Sequence, residues 1–232
     1  MLDNEIRNQY LSAMGIDVWV ARDHSIPVNT VVNDAEEITL KNNDITVLDW
    51  QELQNTVTHC SQCYLHKSRI NSVFGSGNKQ AELFIIGTIP SNEEDIKNQE
   101  FIASEGILLD NMLLTLKLTR EDVYTTNLVK CKSQGHREFS TTEMASCIAY
   151  VNRQIQLVKP KVLILFGEQI AQYILKTENK IDSLTATIHN YDDTDILVIV
   201  INHPEQLLLS GDSKKQAWLA LMKIKSVLTP KN

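Results

Sequence analysis

The sequence predicts an α/β protein built as three layers, αβα, around a central four-stranded and mainly parallel sheet. Three observations predict it. Short β-rich apolar runs at 83–86, 123–126, 162–166 and 196–201 alternate with helical patterns near 105–117, 141–158, 168–176 and 213–228, the rhythm of crossover units with helices on both faces of a sheet. Each run is followed by a polar or Gly/Pro-marked turn. The chain has 232 residues, 43% hydrophobic and 22% charged, enough for one full core plus an appendage. Its longest apolar runs fall far short of the roughly 18 residues needed to cross a bilayer, so no membrane association is expected and the chain reads as cytoplasmic.

Residues 1–22 open the chain with a helix candidate in which Ile6, Tyr10, Leu11 and Met14 recur at helical spacing, closed by Gly15 and followed by Ile16, Val18 and Trp19. Such a segment either meets a partner surface or packs back on its own domain. Residues 23–49 mix Pro27, Asn and acidic residues without sustained period and read as an acidic linker. Residues 50–232 form the folded domain. The formal charge is −7, and residues 1–50 hold nine Asp/Glu against three Lys/Arg, leaving 20 against 19 in the remainder. The domain is therefore near neutral, and a local basic face for nucleic acid remains compatible with the acidic total.

Cys60, Cys63, Cys131 and Cys147 are the four cysteines. In a reducing compartment they point to ligation before disulfides. Cys60-Ser61-Gln62-Cys63 is a chelate spacing, but the second pair lacks the short knuckle of a zinc ribbon. On spacing alone, zinc, an iron–sulfur cluster, and one chelating pair beside two buried free thiols all stay open.

The turns after the four runs carry Gly87-Thr88-Ile89-Pro90-Ser91, Asn127, Gly167-Glu168 and Asn202-His203-Pro204. In an open parallel sheet these gather at the carboxyl edge, where ligands bind.

These pieces together resemble the iron–sulfur-containing family 4 uracil-DNA glycosylases. The resemblance runs from Trp50 through Cys60-x-x-Cys63-x-Leu65, Arg69 and Val73-Phe74-Gly75-Ser76-Gly77 to the first-strand turn, Glu94-Asp95 and Phe101…Gly106-x-Leu108-Leu109. It continues with Val123-Tyr124-Thr125-Thr126-Asn127-Leu128-Val129-Lys130-Cys131, Arg137, Glu143 and Cys147. Gln154-Ile155, Lys159-Pro160-Lys161-Val162, His203-Pro204-x-x-Leu207-Leu208 and Trp218 complete it. The resemblance implies a uracil-DNA glycosylase-like domain with a [4Fe–4S] cluster on Cys60, Cys63, Cys131 and Cys147, and hydrolysis of the bond between uracil and deoxyribose after the base is turned out of DNA. It assigns base stacking to Phe101, base reading to Asn127, and hydrogen-bond donation toward the uracil carbonyl to His203. Gly87, Ile89 and Pro90 line the base pocket. DNA contacts fall to Arg137, Leu207, Leu208, Lys214 and Lys215, with the two leucines pressed into the gap the base leaves.

The turn itself departs from the family. There the pattern is Gly-Glu-x-Pro-Gly with a catalytic Glu, whereas this chain has Thr88 and, at the last position, Ser91. Thr88 carries no charge, its hydroxyl at best positions water, and loss of one preorganised electrostatic group lowers a rate by about 10²–10³. Ser91 adds a side chain where backbone approaches the base. Glu93, Glu94 and Asp95 read as a solvated turn or helix N-terminal caps.

The first 22 residues are also similar, more weakly, to the N-terminal peptide of the psi subunit of bacterial DNA polymerase III, through Tyr10, Leu11, Met14 and Trp19. This implies the clamp loader or its chi subunit as partner. Two functions follow: a uracil-DNA glycosylase of reduced rate, or a catalytically degenerate glycosylase-fold module tethered to the clamp loader.

Overall fold

In a computed structural model of the chain, which describes residues 45–133 and 139–228, the alternation of apolar runs and amphipathic segments becomes a doubly covered sheet. The four predicted strands are present as β2 (Leu83–Gly87), β3 (Tyr124–Asn127), β4 (Val162–Phe166) and β6 (Leu197–Ile201). They lie parallel in the order β3-β2-β4-β6, with Gly87 opposite Asn127. Among the described residues the sheet has six strands rather than the expected four. The additions are two-residue antiparallel edges, β1 (Ser76–Gly77) on β3 and β5 (His189–Asn190) on β6. Their partners are backbone groups, so they carry no apolar pattern.

Side chains alternate strictly across the inner strands. Phe84, Ile86, Leu163, Leu165, Val198 and Val200 face one layer; Leu83, Ile85, Val162, Ile164, Ile199 and Ile201 face the other. The first face packs against α4 (Thr141–Val158), α5 (Glu168–Leu175) and α6 (Ile181–Ala186), and the second against α3 (Ala103–Thr115), α7 (Pro204–Leu209) and α8 (Gly211–Leu228). This is the three-layer arrangement.

Two further helices precede and flank the site. α1 (Trp50–Thr58) starts at Asp49, whose carboxylate accepts from the Glu52 amide at 2.9 Å while Glu52 accepts from the Asp49 amide at 2.8 Å. It buries Leu53 and Val57 with Ile45, Phe74 and Tyr150. α2 (Asn92–Lys97) follows the first-strand turn and begins at Ser91 with the same reciprocal cap to Glu94. No described helix is long and apolar enough to cross a membrane.

Ile164 stands in the central strand with 1% exposure. Ile164→Ala is expected to destabilise the domain by about 2–5 kcal/mol in urea unfolding.

Candidate functional site

Parallel β2, β3 and β6 all end at one edge, which brings Thr88, Asn127 and His203 to the rim of a cavity of about 340 Å³. Ile89, Pro90, Ser91, Phe101, Glu105, Ser133 and Glu205 complete its wall. The Asn127 side chain, 3% exposed, has a buried Nδ2 with no hydrogen-bond partner among the described residues. An orphaned amide donor in a closed wall is costly unless a ligand acceptor meets it. Gly87 makes that position possible: a Cβ there would stand 2.2 Å from Asn127 Oδ1 and 2.6 Å from Phe101 Cζ.

Phe101 is held against its own backbone preference. Its φ of 51° is in the left-handed region, uncommon for a bulky aromatic residue. The clamp is visible: its amide donates to the buried carboxylate of Glu94, and its carbonyl accepts from Arg120 Nη2 at 2.9 Å. Gly106 packs so closely on that carbonyl that a Cβ would lie 2.2 Å away. Ser91, rather than obstructing the pocket, is exposed and serves as the cap of α2.

His203 enters from β6 and caps α7. Its Nδ1 accepts from the Glu205 amide at 3.4 Å, which assigns the proton of the neutral ring to Nε2, and Nε2 lies 3.2 Å from the Thr88 hydroxyl. Burial lowers the His203 pKa, with Glu205 opposing. A neutral imidazole therefore presents an N–H to the cavity.

The acidic triplet is the first turn of α2, the helix-cap alternative of its reading and not the solvated turn. Glu93 is exposed, but Glu94 and Asp95 are buried. The Asp95 carboxylate accepts from the amides of Ile70 (2.9 Å) and Asn71 (2.8 Å) and pairs with Lys132 at 3.3 Å. The signal that finds this helix in the sequence is the Ser91-x-x-Glu94 capping box. Glu105, on the first turn of α3, is a wall residue that the sequence reading missed.

The four cysteines converge. Cys60, Cys63, Cys131 and Cys147, from three separate stretches, line a small pocket with Val57, Arg69, Lys130 and Tyr150. Arg69 joins the two halves, donating from Nη1 to Cys131 Sγ at 2.9 Å and from Nη2 to the carbonyls of Thr58 (2.8 Å) and Cys60 (2.9 Å). Burial raises the pKa of the Cys63 and Cys131 thiols and pushes Cys147 up to about 12. Thiolates here need compensating positive charge. Among the described residues, the set of three or more His, Cys, Asp or Glu donor atoms within 4.8 Å of one another is Glu105, His203 and Glu205, not the cysteines. The sulfurs are thus spread more widely than the roughly 3.8 Å between ligands of one tetrahedral zinc. Lys130 is wholly buried behind them, its Nζ donating to Phe74 O at 3.2 Å and Gln154 Oε1 at 2.8 Å.

The DNA-facing assignments divide. Leu208 is 42% exposed and Lys214 and Lys215 are exposed, but Leu207 is 1% exposed and its side chain belongs to the core. Its neighbour Leu209, at 85%, projects instead. Arg137 and the leader residues Tyr10, Leu11, Met14 and Trp19 lie outside the described residues.

A family model for the uracil DNA glycosylase superfamily matches residues 74–222, the span that contains this cavity. The chain belongs to the uracil-DNA glycosylase superfamily. It is 34% identical over 189 residues to the type-4 uracil-DNA glycosylase of Saccharolobus solfataricus, covering 77% of this chain and 86% of that one. To the type-4 uracil-DNA glycosylase of Archaeoglobus fulgidus it is 32% identical over 164 residues, 68% of this chain and 82% of that one. With the corresponding enzyme of Thermotoga maritima it shares 35% identity over 111 residues, 48% of this chain and 58% of that one. The clamp-loader alternative draws no support from these matches.

Since a methyl group at Gly87 must displace Asn127 or Phe101, Gly87→Ala is expected to destabilise this glycosylase-fold domain by about 1–3 kcal/mol. Thermal unfolding measures the loss.

Proposed function

We propose that the protein hydrolyses the N-glycosidic bond of uracil turned out of DNA. The observation that carries this reading is the orphaned, buried Asn127 Nδ2 in a wall shared with Phe101 and a neutral His203. Each group has a task in such a reaction. Phe101 offers a rigid ring to the base plane. Asn127, with a donor and an acceptor on one amide, suits the carbonyl and N–H of the uracil Watson–Crick edge.

His203 supplies the electrostatic element. As the glycosidic bond breaks, negative charge builds on the leaving base, and a fixed neutral Nε2–H aimed at its carbonyl strengthens as that charge grows. Burial keeps the ring neutral, so the proton is held as a hydrogen-bond donor. Thr88 Oγ1, 3.2 Å from Nε2, occupies that donor before the base arrives. Outside the cavity, Leu208 and Leu209 are the apolar side chains able to press into the vacated stack, and Lys214 and Lys215, with Arg137, suit phosphates.

Cys60, Cys63, Cys131 and Cys147 would hold a [4Fe–4S] cluster. The wide spacing of the sulfurs, their burial and the adjacent Arg69 and Lys130 fit a polynuclear anionic core. When bound, such a cluster supplies a rigid anchor for three chain segments, among them the stretch that follows Asn127.

Two measurements test the reading. Uracil release from single- and double-stranded oligonucleotides is expected for the wild type and is expected to fall about 10²–10³-fold in Asn127→Ala; a silent wild type that still binds DNA would instead identify a degenerate binding module. Anaerobically purified protein is expected to be brown with about four irons per chain, and stoichiometric zinc without iron would reject the cluster.

A further inference from the structure

We propose that Glu105 is a catalytic residue of this site, supplying beside the glycosidic bond the carboxylate that the Thr88 turn lacks. The inference rests on the glycosylase reading and extends it. The turn after β2 offers only the neutral Thr88, yet the cavity wall includes three acids from three other elements: Glu94, Glu105 and Glu205. Glu94 is consumed by its bonds to the amides of Ser91 and Phe101. Glu205 is exposed at the start of α7. Glu105 is half-buried, and its carboxylate accepts no hydrogen bond from the described residues.

Its placement suits the chemistry. A carboxylate oxygen of Glu105, a ring nitrogen of His203 and a carboxylate oxygen of Glu205 all lie within 4.8 Å of one another. With Asn127 at the Watson–Crick edge of uracil, the carbonyl left to His203 is O2, on the carbon next to N1. A carboxylate within 4.8 Å of a His203 ring nitrogen is therefore within reach of the N1–C1′ bond. The segment that carries Glu105 is also fixed: it follows the clamped Phe101, and Arg120 Nη2 ties the Phe101 carbonyl to that of Gly106 at 2.9 and 3.1 Å. Preorganisation of this kind is what a catalytic group requires.

In the step assigned to it, a water oxygen forms the bond to C1′ as the C1′–N1 bond breaks. The electron pair of that bond leaves on uracil, spread over N1 and O2 against His203 Nε2–H. The proton released by water passes to the Glu105 carboxylate, which also opposes the positive charge developing on the sugar. Burial, then the charges of Glu94 and Glu205, push the Glu105 pKa up to about 7. The groups facing it are Glu94 from α2 and His203 and Glu205 from the β6–α7 junction. Because the base form is the charged form, the rate is expected to rise with pH through about 7.

The test is single-turnover uracil release from pH 5 to 9 by full-length wild type, Glu105→Gln, Thr88→Glu, the Thr88→Glu/Glu105→Gln double variant and Glu205→Gln, with oligonucleotide affinity measured alongside. Expected results are a loss of about 10²–10³-fold in Glu105→Gln with affinity kept within about threefold, and recovery of at least about tenfold in the double variant as the acid returns to the turn. Glu205→Gln, which removes a like charge, is expected to move the acid limb to lower pH. An active wild type with Glu105→Gln within about threefold of it overturns the assignment and leaves the glycosylase reading standing. A silent wild type overturns the glycosylase reading and the assignment together. If Glu105→Gln does not fold, an acid limb that Glu205→Gln leaves unmoved overturns the assignment.

Discussion

Two consecutive buried carboxylates on a six-residue helix, Glu94 and Asp95, hold the functional edge of this protein in place. A buried charge persists only when hydrogen-bonded or paired, and breaking one such arrangement costs about 3–5 kcal/mol. Each carboxylate binds a different neighbour. Glu94 faces the base cavity and fixes the amide of Phe101, whereas Asp95 gathers the amides of Ile70 and Asn71 and the ammonium of Lys132. Ile70 follows Arg69, and Lys132 follows Cys131, so the second carboxylate braces the cysteine pocket. The same helix thereby links the two pockets.

Much of the fold was legible because burial on both faces writes itself into a strand as an unbroken apolar run, as in Leu83–Gly87 and Val162–Phe166. The edges Ser76–Gly77 and His189–Asn190 are polar and paired through backbone, which leaves no trace in composition. The acids that open α2 were legible as helix N-terminal caps, but the burial of Glu94 and Asp95 was not, because charges suggest solvent. Leu207 and Leu208 are indistinguishable as letters. Packing against the second face of the sheet puts the first in the core and leaves the second outside. That Asn127, His203 and Phe101 share one cavity was legible through the resemblance and the rule that parallel strands deliver their turns to one edge. Glu105 was not found, because an acid in the first turn of a helix ordinarily serves the helix dipole.

The electrostatics of the cavity follow from what is charged and what is not. Amide, hydroxyl and neutral imidazole line it together with the carboxyl groups of Glu94, Glu105 and Glu205. The uncharged dipoles among these are fixed in place by Gly87, the Glu205 amide and the capped start of α7.

The cysteine pocket has a further consequence for the chain before it folds. Cys60 and Cys147 stand 87 positions apart, and a cluster bound to both would tie off the intervening polymer into a large ring. Closing a ring of that size removes denatured-state entropy equivalent to about 4–5 kcal/mol in the chain-entropy treatment of crosslinks. A cluster held there would thus bear on the stability of the folded molecule as well as on the shape of its surface.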